Sequence, residues 1–436
     1  MTDAQLGSVL ILLAFVVALS HVLAHLCERL RQPRLVGEIL AGVLLGPFVL
    51  GQLAPRVAAL MFGDASPDGT TRVVVGFVDE LGLLLLMLVA GAGAKGVLVP
   101  ENRRPTAWIL AVGTPLPFAL AFAAGMVLPV EPLMGPAQHR LAVVLVLATA
   151  VAVTSIPVIT RIFHDLGILH TRFAGLVLGA AILEDIALWA VLAVATALAS
   201  TAETGRLAGH LTAHIGTTVA FMAVCLVMAP VALRRLHRAR WNALATSAPV
   251  AYVLLILLAY AGFAAVLQVN LVFAAFLAGF GLVGGIRGAD RDLFAEPVAA
   301  LSKVAFALFI PVYFFMVGYR LELGRGFSAP LLLLFLVGSS ALCLVSIGLA
   351  ARLAGFRGLD IVNLAVASNA RGGPGIVLAS VAYEAGIISG SFFTTLVLTA
   401  ILTSQAAGLW LGWVLRRGWP LLSSAADSEA GRIDPP

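Results

Sequence analysis

Two neighbouring carboxylic acids, Glu184 and Asp185, lie in the middle of an apolar run over residues 173–199. Ionisable side chains in such a run are costly to hold in lipid and are usually functional. Adjacent helical positions differ by about 100°, so both acids can face a protein interior. Carboxylates bind protons jointly when paired, and their oxygens suit hard cations. The pair therefore predicts a site for H⁺ and a monovalent cation. The alternative is a structural pair neutralised by an arginine.

Two other apolar runs are interrupted by helix-breaking residues. The run over 141–163 reads Thr-Ser-Ile-Pro from Thr154 to Pro157, and the run over 360–385 reads Arg-Gly-Gly-Pro-Gly from Arg371. Interrupted backbone at membrane depth is tolerated only where protein buries it or where it lines a cavity. A matched pair of interruptions predicts an inverted-repeat transporter with its site at the midplane. Two unrelated proline kinks are the simpler alternative.

Four polar residues beside these interruptions are predicted to support the acids: Thr154, Ser155, Asn369 and Arg371. Two roles for Arg371 stay open. It can pair with Glu184, in which case Asp185 alone trades H⁺ for the cation and exchange is one for one. It can instead bind helix-end carbonyl groups, in which case both acids release protons and transport moves net charge.

The composition requires a membrane. The 436 residues are 61% hydrophobic and 11% charged, with a mean hydropathy of +1.04, whereas soluble domains carry about 25% charged residues. The net charge of +5 comes from basic clusters between apolar runs, which indicates membrane topology rather than nucleic-acid binding. Cys27, Cys225 and Cys343 lack the spacing of a zinc site or a redox pair. We expect no cofactor and no nucleic-acid partner.

Thirteen apolar runs predict an all-α polytopic membrane protein. The predicted spans are 6–26, 35–52, 74–94, 106–130, 141–163, 173–199, 210–233, 247–267, 269–286, 299–319, 329–353, 360–385 and 391–415. We divide the membrane domain, 1–415, into a first repeat over 35–199, a linker helix over 210–233 and a second repeat over 247–415. The polar tail, 416–436, is expected to be a disordered cytoplasmic segment.

The basic residues also predict an orientation. With the N-terminus outside, 20 of the 27 Lys and Arg residues fall in cytoplasmic loops or the tail, six fall outside, and Arg371 lies within a span. This bias follows the positive-inside rule and predicts an N-outside, C-inside protein. The excess of Arg over Lys, with abundant Ala and Gly, indicates a GC-rich bacterial genome and hence a bacterial inner membrane.

Five motifs carry a resemblance to a known family. They are QPRLVGEILAGVLLGPFVLG (32–51), VTSIPVITRIFHDLGIL (153–169), LGAAILEDIALWAVLA (178–193), FFMVGYRLEL (314–323) and NARGGPGIVLASVAYEAGIIS (369–389). In order and over nearly the whole chain, they resemble the cation:proton antiporter-2 family of bacterial sodium/proton and potassium/proton exchangers.

The resemblance implies an NhaA-like antiporter fold of about 13 transmembrane helices, with inverted repeats and two crossed broken helices. It also implies a core domain, a dimerisation domain, a homodimer in the lipid bilayer and elevator-like alternating access. By the same resemblance, Asp185 is the carboxylate shared by H⁺ and the cation, and Glu184 assists it. Thr154 and Ser155 match the family's break in the fifth span.

The sequence departs from the family pattern at three places. Glu184 stands where many sodium exchangers carry Asp and some potassium systems carry Gln. The eleventh span lacks the Lys of several electrogenic members, and Ser346 lies close to its expected place. Gly373 and Pro374 stand where an acid usually follows Arg-Gly. The first two departures leave the choice of Na⁺ or K⁺ and the stoichiometry open.

The leading interpretation is a secondary active antiporter that exchanges Na⁺ or K⁺ for H⁺ by alternating access. A sodium-coupled symporter or an organic-solute exporter on the same fold is the alternative. An intramembrane enzyme is disfavoured, because the sequence contains no HExxH, GxGD or DDxxD arrangement. We therefore predict a transporter rather than an enzyme.

Overall fold

The described chain is helical. The computed structural model describes residues 2–29, 32–62, 70–93, 103–168, 171–203, 216–218, 220–237, 239, 242–284, 292–324 and 326–423. Within these residues the only β-structure is a bridge between Met134 and Ile388. Asp185 lies in a described helix, but its side chain is outside the described part of the structure.

The helices follow one another along the chain with few long connections. The first ten are α1 (Asp3–Arg29), α2 (Arg34–Leu45), α3 (Leu50–Leu53), α4 (Pro55–Phe62), α5 (Thr70–Gly93), α6 (Arg103–Trp108), α7 (Pro115–Val127), α8 (Arg140–Ala152), α9 (Ile156–Asp165) and α10 (Arg172–Glu203). The next ten are α11 (Ala229–His237), α12 (Ala243–Ser247), α13 (Pro249–Val266), α14 (Leu271–Gly284), α15 (Asp292–Val304), α16 (Ile310–Tyr319), α17 (Ala329–Leu353), α18 (Leu359–Ser368), α19 (Gly372–Glu384) and α20 (Gly390–Arg416). Shorter π-helical and 3₁₀ segments are Ile109–Gly113, Glu131–Leu133, Val224–Met228 and Ala305–Phe309.

Eight helical stretches of the described residues are long and apolar enough to cross a membrane. They are Gln5–Arg29, Arg34–Leu53, Val73–Ala92, Pro105–Val127, Pro249–Val266, Phe294–Tyr319, Ala329–Leu353 and Gly390–Arg416. The multi-pass, all-helical class is therefore confirmed, whereas the count of thirteen spans stays a prediction. The predicted seventh span, 210–233, falls partly outside the described residues, and the twelfth, 360–385, is two half-helices rather than one long helix.

Local capping explains where several helices begin. The Ser328 hydroxyl accepts a hydrogen bond from the Leu331 N–H at 3.3 Å at the start of α17. The Ser389 hydroxyl accepts from the Phe392 N–H at 3.4 Å at the start of α20. A side-chain oxygen at this position satisfies a backbone N–H that has no partner inside the helix. The polar residues between apolar runs thus fix the first turn of these spans.

The chain forms two compact units. The first contains the described residues of 1–94 and 216–327, and therefore helices α1–α5 and α11–α16. The second contains the described residues of 95–215 and 328–436, and therefore helices α6–α10 and α17–α20. Each unit draws on both predicted repeats, and the repeat boundaries stay a prediction. The predicted acids and both predicted interruptions belong to the second unit.

Reciprocal glycines bring helix pairs of the first unit into backbone contact. A Cβ on Gly91 of α5 would meet the Phe276 carbonyl oxygen of α14, and a Cβ on Gly279 would meet the Leu88 carbonyl oxygen of α5. Small residues allow this close approach, which in membranes replaces the hydrophobic drive for helix association. The α5–α14 pair therefore tolerates no side chain at either glycine.

Gly91→Ala is expected to destabilise the protein by about 1–3 kcal/mol, because the added methyl group forces two backbones apart. Gly76, on the same helix, has no neighbouring atom within 4 Å of the point that a Cβ would occupy. Gly76→Ala is therefore the matched control and should raise stability by about 0.5–1 kcal/mol, since Gly is a poor helix residue. Thermal unfolding of the purified variants measures both. Equal melting temperatures for the two variants would contradict the close contact.

A short segment after α20 docks onto α18 in the second unit. The Ser423 N–H and hydroxyl donate to the Asp360 carboxylate at 3.0 and 2.6 Å. Asn363 donates to the Leu421 carbonyl at 3.1 Å and accepts from Trp410 Nε1 at 3.0 Å. The sequence predicts disorder from residue 416, and these contacts correct that boundary. Residues 424–436 lie outside the described residues.

Candidate functional site

The first interruption lies where the sequence predicts it. Helix α8 ends at Ala152, α9 begins at Ile156, and Val153, Thr154 and Ser155 connect them outside helical geometry. The Ser155 hydroxyl accepts a hydrogen bond from the Val158 N–H at 3.3 Å and so caps α9. The proline of this motif occupies the first turn of α9, where its missing N–H is harmless.

The second interruption has the same construction. Helix α18 ends at Ser368 and α19 begins at Gly372, which has a φ of +37°. Pro374 again lies in the first turn of the second half-helix. A Cβ on Gly372 would stand 2.7 Å from the Ser155 hydroxyl oxygen of the first interruption. The glycine is therefore required both by its backbone conformation and by its neighbour.

The two interruptions hydrogen-bond to each other. The Ser155 N–H donates to the Ala370 carbonyl at 2.7 Å. The Thr154 hydroxyl donates to the Ser368 carbonyl, also at 2.7 Å. Backbone groups that lack a helical partner at membrane depth need such bonds, because no water is present to replace them. The unwound segments of the two chain halves thus stabilise one another at a single crossing.

Glu184 of α10 lies beside this crossing. Its side chain is 3% exposed, and the hydroxyl groups of Thr154 and Thr114 act on its carboxyl group. Its Oε1 atom has no hydrogen-bond partner among the described residues. Glu184 also lies within electrostatic range of the Cys343 thiol. Asp185 follows on the same helix, and the position of its side chain is outside the described part of the structure. The crossing thus brings Glu184 and Thr154 together.

Arg371 contacts α17 and the end of α8. Its Nη1 atom donates to the Ser339 hydroxyl at 2.7 Å, and its Nη2 atom lies 3.5 Å from the Val151 carbonyl oxygen. Its guanidinium lies over the Phe335 ring at 5.7 Å. Between the described side chains of Arg371 and Glu184 there is neither a hydrogen bond nor an ion pair. Of the two roles left open by the sequence, this geometry is that of the helix-end contact.

Asn369, the remaining supporting residue, is oriented by α17. Its Nδ2 atom donates to the Ser340 hydroxyl at 3.2 Å, while its Oδ1 atom is buried without a described partner. Ser346 is likewise buried, and its hydroxyl has no described partner. Buried polar groups are normally satisfied, so such acceptors next to a buried acid are suited to a proton or a cation.

Sequence reasoning missed three residues of this site, namely Thr114, Ser339 and Ser340. The signal was present, because Ser339 and Ser340 interrupt an otherwise apolar run in the predicted eleventh span. Polar residues within a span are candidates for a site for the same reason as charged ones, since lipid cannot solvate them. Thr114 stands where a π-helical segment passes into α7, a feature that no sequence pattern marks.

The chain matches one family over most of its length. Residues 11–417 match the family described as "Sodium/hydrogen exchanger, transmembrane". The Na⁺/H⁺-K⁺ antiporter GerN of Bacillus cereus is 25% identical over 398 residues, which cover 90% of this chain and 92% of GerN. Cation/H⁺ antiporter 19 of Arabidopsis thaliana is 24% identical over 92% of this chain and 49% of that protein. The chain thus spans about half the length of the plant relative.

A solved structure shares the fold. The sodium proton antiporter MjNhaP1 from Methanocaldococcus jannaschii superposes with a TM-score of 0.65 at 16% sequence identity. The superposition covers 96% of this chain and 100% of the MjNhaP1 chain. At this identity the likeness bears on the arrangement of helices alone.

Proposed function

We propose, because this chain belongs to the sodium/hydrogen exchanger family of transmembrane proteins, that it exchanges a monovalent cation for H⁺ across the bacterial inner membrane. The observation that carries the proposal is the buried carboxyl group of Glu184 beside two crossed helix interruptions. The names of the relatives support Na⁺ and K⁺ as the candidate cations. No cofactor is needed, since a carboxylate holds either a proton or an alkali cation by itself.

The geometry supports a competition between proton and cation at the acid pair. Thr154 donates its hydroxyl proton to the Ser368 carbonyl, so the lone pairs of its oxygen remain available to a cation or to a protonated carboxyl group. In the proposed cycle Asp185 releases H⁺ before it binds the cation, and Glu184 assists it. Because one site serves both ions and opens to one side at a time, movement of one ion requires return of the other.

Transport by purified protein in liposomes tests the proposal. Vesicles with an entrapped pH-sensitive dye and an imposed pH gradient should lose that gradient when Na⁺ or K⁺ is added outside. Choline chloride, which has no small cation, should leave the gradient unchanged, and Li⁺ adds a third candidate. A pH gradient that survives all three cations would overturn antiport. Solute-dependent uptake with Na⁺ in the same vesicles would favour a symporter instead.

The proposed orientation has its own test. In a background without Cys27, Cys225 and Cys343, all three of which are buried and free, single cysteines are introduced at exposed positions. Gln52→Cys should react with an impermeant maleimide added outside the cell, because its loop is predicted to be external. Ser247→Cys should react only after the membrane is made permeable. Labelling of Ser247→Cys in intact cells would reverse the predicted N-outside, C-inside topology. Homodimer formation is proposed on the family resemblance.

A further inference from the structure

The buried guanidinium of Arg371 depends on one short hydrogen bond. The residue is 2% exposed, and its bond to the Ser339 hydroxyl is 2.7 Å long, whereas the contact with the Val151 carbonyl reaches 3.5 Å. Its Nε atom has no partner among the described residues. A guanidinium has five N–H donors, so this one is held but far from saturated. Ser339 is therefore the main polar contact that fixes its direction.

One face of α17 carries the groups that hold Arg371. Phe335 and Ser339 are four residues apart and so lie on the same side of the helix. The aromatic ring at 5.7 Å and the hydroxyl group therefore approach the guanidinium from the same helix. Cation–π contact stabilises the charge without satisfying any N–H group. Only the hydroxyl group directs a donor.

The next turn of the same face leads toward the acid. Cys343 lies four residues beyond Ser339, and its thiol is within electrostatic range of both Arg371 and Glu184. Glu184 has a carboxyl oxygen without a described partner. A guanidinium and a carboxyl group this close would attract each other strongly in a low dielectric. Something must keep them from pairing.

We propose that Ser339 is a positioning residue that holds Arg371 out of an ion pair with Glu184, and thereby leaves the acid pair free to exchange protons for the cation. The inference rests on the proposed function and adds a residue to it. Ser339 itself touches neither the proton nor the cation. Without its hydroxyl group, the guanidinium would turn to the nearest acceptor of opposite charge, which is the carboxyl group of Glu184.

Ser339→Ala tests the role in transport. We expect the half-saturating cation concentration to rise about tenfold or more, which is the effect of about 1.4 kcal/mol on cation binding, because a positive charge has joined the site. Ser339→Thr keeps the hydroxyl group and should restore the wild-type value. In an Arg371→Gln background, Ser339→Ala should change nothing further. Ser339→Val is compared with Ser339→Thr as a second pair of equal shape in case the smaller variant folds poorly.

A second measurement does not need transport. If the loss of Ser339 lets Arg371 pair with Glu184, then Glu184→Gln breaks that pair only in the Ser339→Ala background. Glu184→Gln should therefore lower the melting temperature by several degrees more in Ser339→Ala than in the wild type. This comparison stands even if the wild-type protein moves none of the cations tested, which would overturn the proposed function alone.

Two results would overturn the positioning role. The first is an equal drop in melting temperature on Glu184→Gln in both backgrounds. The second is a rise in the half-saturating concentration that persists when Arg371 has been replaced by Gln. Either would mean that Ser339 contributes to packing and does not steer the guanidinium.

Discussion

Replacement of Asp185 by Asn is expected to abolish cation-driven proton movement while leaving the folded protein intact. An amide has nearly the shape of a carboxylic acid but can neither release a proton nor neutralise a cation. Asp185 follows Glu184 in the middle of α10, and no other acid in the middle of a span besides Glu184 could replace it. We expect the rate to fall at least about a hundredfold, to the level of empty liposomes, because an essential proton carrier is lost.

The matched control for Asp185→Asn is Glu131→Gln, which also removes one acidic charge in the second unit. The Glu131 side chain is 62% exposed and pairs with Arg140 at the surface, so its loss should leave exchange within about twofold of the wild type. Gel filtration and melting temperature establish that both variants fold. Near-normal proton flux in Asp185→Asn would sink the assignment of the site.

The second large effect concerns membrane potential. Since Arg371 is held by Ser339 rather than by Glu184, neither described carboxyl oxygen of that acid is committed to an ion pair. Both acids can then release a proton when one cation binds, and each cycle moves one net charge. A charge that crosses 100 mV changes free energy by about 2.3 kcal/mol, which corresponds to about a 50-fold change in the cation gradient at equilibrium.

Liposomes with a potassium diffusion potential set by valinomycin measure this effect, with Na⁺ as the transported ion. We expect the rate of Na⁺-driven proton movement to change when the potential is inverted. The vesicles without an imposed potential, clamped by equal K⁺ on both sides, supply the reference. Equal rates at both polarities would show electroneutral exchange and would return Glu184 to a pairing with Arg371.

Both interruptions could be predicted from the sequence because the residues that cause them are local. Pro157 and Pro374 cannot continue a helix from the preceding residues but fit the first turn of a new one. Each proline therefore lies just inside the second half-helix, and the unwound residues precede it. The pattern of polar and apolar residues was sufficient to place Thr154 at the break, since a hydroxyl group in an apolar run needs a partner.

The contact between Arg371 and Ser339 could not be predicted in the same way. The two residues are 32 positions apart, and the choice between Ser339 and Glu184 depends on how α17 packs against the crossing. No periodicity encodes that choice, because both partners lie in apolar runs of similar composition. The sequence therefore supplied two roles for Arg371, and tertiary packing selected between them.

The docking of residues 421–423 makes the end of the chain a mechanical handle. Helix α18 is ten residues long, so Asp360 at its start lies about 15 Å along the axis from the crossing at its end. A pull on Ser423 acts first on Asp360 and is carried along a rigid rod to the unwound segment that follows Ser368. Anything fused after this segment thus has a lever on the ion site as well as an attachment to the last helix.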